Sequence, residues 1–322
     1  MKLFRLTVRA GLGAFIALLV AQTMPAASAQ SLLERLAERR AALQNEGELD
    51  DNEAPAAFNL PAGVTAQRNI AYGSNPAQRY DVYLPAHAAG APVIFMVHGG
   101  GWRFGDKGAR SVVENKVARW TARGIIVVSV NYRMLPGANP TVQAEDVAAA
   151  LVAAQNKAAD WGGDRAKFVL MGHSAGAHLV AVLASSPQLA VARGATRWLG
   201  TVALDSAALD IGAIMQQRHL PLYDQAFGAN PGYWKSISPY ALLVQQGPPL
   251  LAVCSSRRRD SCAQARRYAD KAGTLGMRAE VLPEDLTHKE INQALGLDNA
   301  YTQAVEAFMA SLDPALAAVL AR

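Results

Sequence analysis

Residues 169–180, VLMGHSAGAHLV, hold one serine between two glycines, Gly172-His173-Ser174-Ala175-Gly176. The serine stands where a continuous apolar run passes into an apolar helical pattern. On a tight strand-to-helix turn a serine presents its hydroxyl at the open edge of a sheet, and glycines two positions away on either side remove side chains that would collide there. Such a serine can attack a carbonyl carbon. A helix opening beside it turns its positive dipole end toward the anion that forms. A second glycine cluster, FMVHGGGWRFGDK at 95–107, follows another apolar run. Its main-chain N–H groups are unobstructed. Gly100 and Gly101, joined by Ala175, are therefore the expected donors to an oxyanion. The competing use of such a loop, cradling phosphate, needs G-x-x-x-x-G-K-[ST], which is not present in it.

These groups need a scaffold to bring them together. From about residue 67 the chain alternates short β-rich runs with helical stretches. The runs PVIFMV (92–97), GIIVVSV (124–130), KFVLM (167–171), LGTVAL (199–204) and PLLAVC (249–254) are apolar throughout, as strands buried on both faces are. RYDVYL (79–84) alternates, and RAEVLP (278–283) reads as a last strand. ARSVVENKVARWTAR, TVQAEDVAAALVAAQNKAA, AGAHLVAVLAS and CAQARRYADKAGTL read as helices between them. The order predicts one doubly wound, mostly parallel α/β sheet over 67–322 with right-handed crossovers. At 322 residues and 51% hydrophobic, the chain can bury a core of that size.

The start of the chain is different. Lys2, Arg5 and Arg9 precede an apolar stretch from about Ala10 to Val20, and Ala27-Ser28-Ala29 has the small-x-small form of a cleavage site. Residues 1–29 are expected to be a secretory signal, with an uncleaved anchor as the alternative. A periplasmic or secreted protein without stable membrane insertion follows. Residues 30–66 are read as an amphipathic helix over 31–45, lying across a site or exposed, and an acidic linker. The net charge of +5 falls to +2 without the leader's three basic residues, which gives no case for nucleic-acid binding. Two cysteines and scattered histidines do not have metal-ligand spacing, so neither a metal nor another cofactor is expected. Cys254 and Cys262 flank SSRRRDS, and in an oxidising compartment they are expected to form a disulfide. Composition leaves the oligomeric state open.

HGGGW (98–102), VNYRMLP (130–136), EDV (145–147), GHSAGAHL (172–179) and SPY (238–240) together resemble the α/β-hydrolase superfamily. The resemblance is to its bacterial esterase/lipase group related to hormone-sensitive lipase, and it runs from about Tyr72 to Leu312. His173 before the serine and Ala177-His178 after it depart from the lipase pattern and are similar to feruloyl-esterase-like and arylformamidase-like relatives. The resemblance implies the α/β-hydrolase fold with a small cap, a triad in the chain order Ser, acid, His, and a small-molecule ester of an acyl or aryl acid as substrate. Formamide or amide cleavage, or a binding protein without catalysis, are the alternatives.

His288, in EDLTHKEINQALG, follows the last expected strand and is the expected base; His219 falls in the expected cap at about 206–240. His98 lies too early in the chain and is expected to orient the glycine loop. The acid is expected at Asp260, after PLLAVC, with Asp205, after LGTVAL, as competitor and Asp285 too near His288. The disulfide would then hold the turn that brings Asp260 to His288. Trp102, His173, Tyr233 and Trp234 are the expected pocket residues, Trp102 either lining the entrance or buttressing the loop. The roles of Arg257, Arg258 and Arg259 stay open between solvation, screening of the acid and attraction of anionic substrates. Activity is expected to fall as the pH drops through the histidine pKa, nominally about 6.5.

Overall fold

The computed structural model describes residues 53–322; the expected leader over 1–29 and helix over 31–45 lie outside the described residues. The apolar runs form one sheet. In chain order its strands are β1 (Thr65–Ala71), β2 (Arg79–Leu84), β3 (Ala91–Val97), β4 (Ile126–Val130), β5 (Gly163–His173), β6 (Gly200–Leu204), β7 (Leu250–Ser255) and β8 (Ala279–Glu284). They lie side by side as β1-β2-β4-β3-β5-β6-β7-β8. β1 and β2 pair antiparallel with each other, and β2 pairs antiparallel with β4; every other pairing is parallel. β1 was not expected. Its residues TAQRNIA are largely exposed and have neither a continuous nor an alternating apolar pattern, as befits an edge strand.

Helices cover both faces. α1 (Arg110–Thr121), α2 (Pro140–Lys157), α3 (Ala175–Ser185) and α4 (Gln188–Val191) connect β3 to β6; α5 (Ile211–Met215), α6 (Pro221–Phe227), α7 (Pro231–Ile237) and α8 (Pro239–Leu242) make the expected cap. α9 (Ser261–Thr274), α10 (His288–Ala294), α11 (Ala300–Ala310) and α12 (Pro314–Leu320) complete the chain. The two-residue period of β3 sorts the core. Val93, Phe95 and Val97 join Leu151 of α2 and Leu179 of α3 on one face. Ile94 and Met96 join Val117 and Trp120 of α1 and Met309 of α11 on the other. The cap helices are short because prolines start three of them and Gly228 ends α6.

The parallel strands all run toward one edge, so the residues just beyond β3, β5, β6 and β7 share a rim. Two glycines bring the backbones on that rim together. A Cβ on Gly172 would lie 2.4 Å from the Gly176 carbonyl oxygen, and one on Gly176 would lie 2.2 Å from the Val97 oxygen. Both obstacles are backbone and cannot swing aside. Gly176→Ala is expected to cost about 1–3 kcal/mol in urea unfolding, the usual penalty of overpacking. Gly273→Ala, in α9 with nothing within 4 Å of the added carbon, is expected to cost nothing.

Candidate active site

Ser174 sits between β5 and α3 with φ 54° and ψ −117°, a conformation that L-residues seldom adopt. Its N–H donates to the Leu204 carbonyl at 2.9 Å, which locks the turn to the end of β6. Trp102 (φ 61°) and Asp205 (φ 53°) share the positive-φ region. All three line one small pocket, with Gly101 and Ala175. Backbone strain gathered at one rim is a mark of a functional site.

The glycine loop after β3 is fixed from below. His98 is buried, stacks on Tyr132 with ring centroids 4.5 Å apart, and has Nδ1 2.8 Å from the Gly99 oxygen. The Tyr132 hydroxyl donates to the His98 carbonyl. These contacts are the loop-orienting role expected for His98. Gly100 turns its carbonyl inward to the N–H groups of Arg103 and Phe104. Gly101 and Ala175 line the pocket beside Ser174, and among the described residues neither N–H makes a backbone hydrogen bond. Ala175 opens α3, where N–H groups have no intrahelical partner. Gly101 and Ala175 are therefore suited to hold an oxyanion, whereas Gly100 shapes the loop and does not line the pocket.

Trp102 both lines the pocket and buttresses the loop. Its carbonyl accepts from Leu135 N–H and from the Gln143 side chain. Its indole N–H donates to His178 Nδ1 at 3.1 Å, and the other ring nitrogen of His178 is 2.9 Å from the Ile237 carbonyl. Those partners define a neutral His178 with its proton on Nε2, and burial pushes its pKa down to about 4. Tyr223 and Phe227 of α6 complete the aromatic cluster. Leu222 and Tyr223 face the pocket from the cap. Tyr233 and Trp234, expected in the pocket, sit instead on α7 against the core, outside the described pocket wall; the Trp234 indole donates to Gly228 O. A helix shows one side to its neighbour, and which side could not be read from so short an element.

α10 begins at His288 because Thr287 caps it. The Thr287 hydroxyl accepts from Glu290 N–H while the Glu290 carboxylate accepts from Thr287 N–H, the reciprocal pair encoded by T-x-x-E. His288 is buried, with Nδ1 2.6 Å from Asp205 Oδ2. Its Nε2 is buried without a hydrogen-bond partner among the described residues. His173 lies under it, ring centroids 4.4 Å apart, and its Nε2 donates to the His288 carbonyl. His173 thus supports His288 and is not part of the described pocket wall. His219 is in the cap, bonded to Asp224 and Gln217.

The expected acid is corrected. Asp260 does not meet His288: its side chain is 64% exposed, and Arg259, 3.9 Å away, is its ion-pair partner among the described residues. β7 runs on through Ser255, and SSRRR carries the chain outward, so Asp260 becomes the residue before α9. Asp205 follows β6 directly and takes the place beside His288. Its carboxylate is completely buried. Oδ1 accepts from Ser255 N–H at 2.7 Å and from the Ser261 hydroxyl; Oδ2 accepts from His288 and from Arg258 Nη1 at 2.8 Å. Burial pushes the Asp205 pKa up, but His288, Ser255 and Ser261 outweigh it and leave the carboxyl below its ordinary range. Burial, then the charges of Arg258 and His173, hold the His288 imidazole below its ordinary value against the pull of Asp205.

Cys254 and Cys262 form the expected disulfide. Three of the four donors to Asp205 belong to the nine-residue segment it closes. The clamp shapes a cradle for Asp205 rather than a turn for Asp260.

A buried Asp–His pair beside a strained serine and a pair of main-chain donors defines, on this sheet, an α/β-hydrolase. The BD-FAE family model matches residues 80–257, more than half of the chain, and the chain belongs to the BD-FAE family. Among its relatives, isoprenylcysteine alpha-carbonyl methylesterase ICME of Arabidopsis thaliana is 36% identical over 116 residues, 36% of this chain and 26% of that protein. Kynurenine formamidase of Salmo salar is 30% identical over 119 residues, 37% of this chain and 38% of that protein. The chain thus aligns with only a quarter to two fifths of the length of these relatives. Among solved structures, esterase B from Lactobacillus rhamnosis superposes with a TM-score of 0.64 at 18% identity, covering 90% of this chain and 95% of that one, which shows the shared fold.

Replacing both Cys254 and Cys262 with alanine is expected to lower the unfolding free energy by about 2–3 kcal/mol, the chain-entropy value for a loop this short. Chemical denaturation of the oxidised protein and the double variant would measure it.

Proposed function

We propose that this protein is an exported serine hydrolase that cleaves small carboxylic esters through Ser174, His288 and Asp205. The reading is carried by one observation: Ser174, Gly101, Ala175 and Asp205 line the same pocket, and Asp205 holds the Nδ1 side of His288, so that the other ring nitrogen is left to take a proton. Ser174 Oγ attacks the acyl carbon while His288 Nε2 removes its proton. The carbonyl electron pair moves onto oxygen, where the Gly101 and Ala175 N–H groups meet it. Collapse breaks the bond to the alcohol, which leaves with the proton from His288, and the acyl group stays on Ser174. Water repeats the sequence, freeing the acid and restoring the serine. Throughout, the Asp205 carboxylate accepts from Nδ1–H and offsets the positive charge of the imidazolium.

The substrate reading rests on the size and lining of the pocket. Trp102, Leu222 and Tyr223 offer apolar and aromatic surface to a short acyl or aryl group. The methylesterase named above supports an ester, and the formamidase named above favours a second reading in which the scissile bond is a formamide. The same groups serve both reactions. Export is supported by the basic, apolar and small-x-small order of residues 1–29, together with the disulfide.

Purified protein is expected to release p-nitrophenol from short-chain p-nitrophenyl esters, and Ser174→Ala to lower kcat by about a million-fold. Full activity in that variant would overturn the assignment. Asp205→Asn is expected to lower kcat by about 10⁴-fold, as loss of the orienting carboxylate does in such triads, while Asp260→Asn stays within about twofold. Rates on matched acyl, aryl and formamide panels would rank the two substrate readings. Sequencing the N-terminus of exported protein is expected to begin at Gln30.

A further inference from the structure

The segment between the cysteines carries three arginines with three different fates. Arg257 reaches Asp285 at 2.8 Å on the surface. Arg259 is 90% exposed. Arg258 turns inward, to 17% exposure, and lines the pocket that contains Ser174. Its Nη1 is 2.8 Å from Asp205 Oδ2, 3.1 Å from the Asp205 carbonyl oxygen and 3.1 Å from His288 Nδ1. A guanidinium has no lone pair to offer, and Nδ1 of a base whose other nitrogen must accept a proton carries its own hydrogen. Two donors therefore converge on one carboxylate oxygen.

We propose, building on the esterase reading above, that Arg258 is a positioning residue that holds the Asp205 carboxylate against His288 and sets a fixed positive charge beside the base. The disulfide presents it. Ser255 N–H, the Arg258 guanidinium and the Ser261 hydroxyl all reach Asp205 from the segment closed by Cys254 and Cys262. Ser255 Oγ also donates to Leu286 O, which ties the same segment to the approach of α10.

A cation at this place has two effects with the same sign. It repels the second proton of His288 directly, and it shares the oxygen whose charge would otherwise draw that proton in. The other charged groups facing the imidazole among the described residues are Asp205, which favours the charged form, and His173 beneath it, which opposes it. On α10 itself the Glu290 carboxylate is engaged by Thr287. With Arg258 present the imidazole stays uncharged to lower pH, and the base form, the one that takes the serine proton, stays populated there. Burial of the imidazole pushes in the same direction and sets the starting point from which Arg258 acts.

The test is the acid limb of the kcat/KM–pH profile for wild type, Arg258→Gln and Arg258→Lys, alongside ¹⁵N NMR titration of the His288 ring. Arg258→Gln keeps a donor for Asp205 but loses the charge. Its midpoint is expected to rise by about one pH unit, the lower end of shifts produced by a charge this close, so that kcat/KM well below both midpoints falls about tenfold. Arg258→Lys keeps the charge and is expected to hold the wild-type midpoint. A uniform loss at every pH with an unmoved midpoint would overturn the proposal and leave Arg258 only structural. Should Arg258→Gln fail to fold, Arg258→Met, which keeps the length of the side chain and removes its charge, is titrated instead: a His288 ring midpoint above that of wild type supports the proposal, and an unmoved midpoint overturns it. The ring titration needs no turnover, so its outcome is independent of whether Ser174 proves to be the nucleophile.

Discussion

A carboxylate with no access to water is the constraint on which the site depends. Asp205 is fully buried, and an unpaired charge in that position would cost several kcal/mol. Four donors remove that cost: two on one oxygen from Ser255 and Ser261, and two on the other from His288 and Arg258. They come from β7, the turn after it, the start of α9 and the start of α10. Each element must end where it does for the carboxylate to be satisfied. The Asp205–His288 pair and the packing of the sheet's last third are thus one structural feature.

The serine side of the rim is governed by backbone proximity. Gly172 and Gly176 let β5, α3 and the loop after β3 approach more closely than any side chain would permit. That approach brings Gly101 and Ala175 alongside Ser174, and Ser174 N–H ties the turn to Leu204, the residue before Asp205. Strain at Trp102, Ser174 and Asp205 is sustained by the rigid strands behind them. Ser174 and Asp205 are neighbours because β5 and β6 are neighbours in the sheet.

The disulfide belongs to the same arrangement. It closes a short segment that supplies three of the four donors to Asp205, and so it ties a covalent link to the geometry of the Asp–His pair. The aromatic cap works from the other side. Trp102, Tyr223 and Phe227 form a packed cluster with His178, whose two ring nitrogens are both engaged, so the pocket wall gains a polar anchor without a charge.

The chain's own sequence determined the alternation of strands and helices, the serine turn, the glycine loop after β3, the helix that starts at His288 and the cysteine pair, because each leaves a local signature. Continuous apolar runs mark doubly buried strands, glycines two residues either side of a serine mark the turn, and T-x-x-E marks the helix that starts at His288. The edge strand β1 left no such pattern, since one exposed strand needs no regular burial. The carboxylate that meets His288 was beyond local reading. Asp205 and Asp260 each follow a strand, and their sequence surroundings do not say which carboxylate points toward the histidine. That choice depends on how far β7 extends and where SSRRR leaves the rim, and so on contacts between residues 50 to 83 positions apart. The fate of the three arginines was decided in the same way: their charges are identical in sequence, and only the tertiary structure turns Arg258 inward, where a buried carboxylate compensates it.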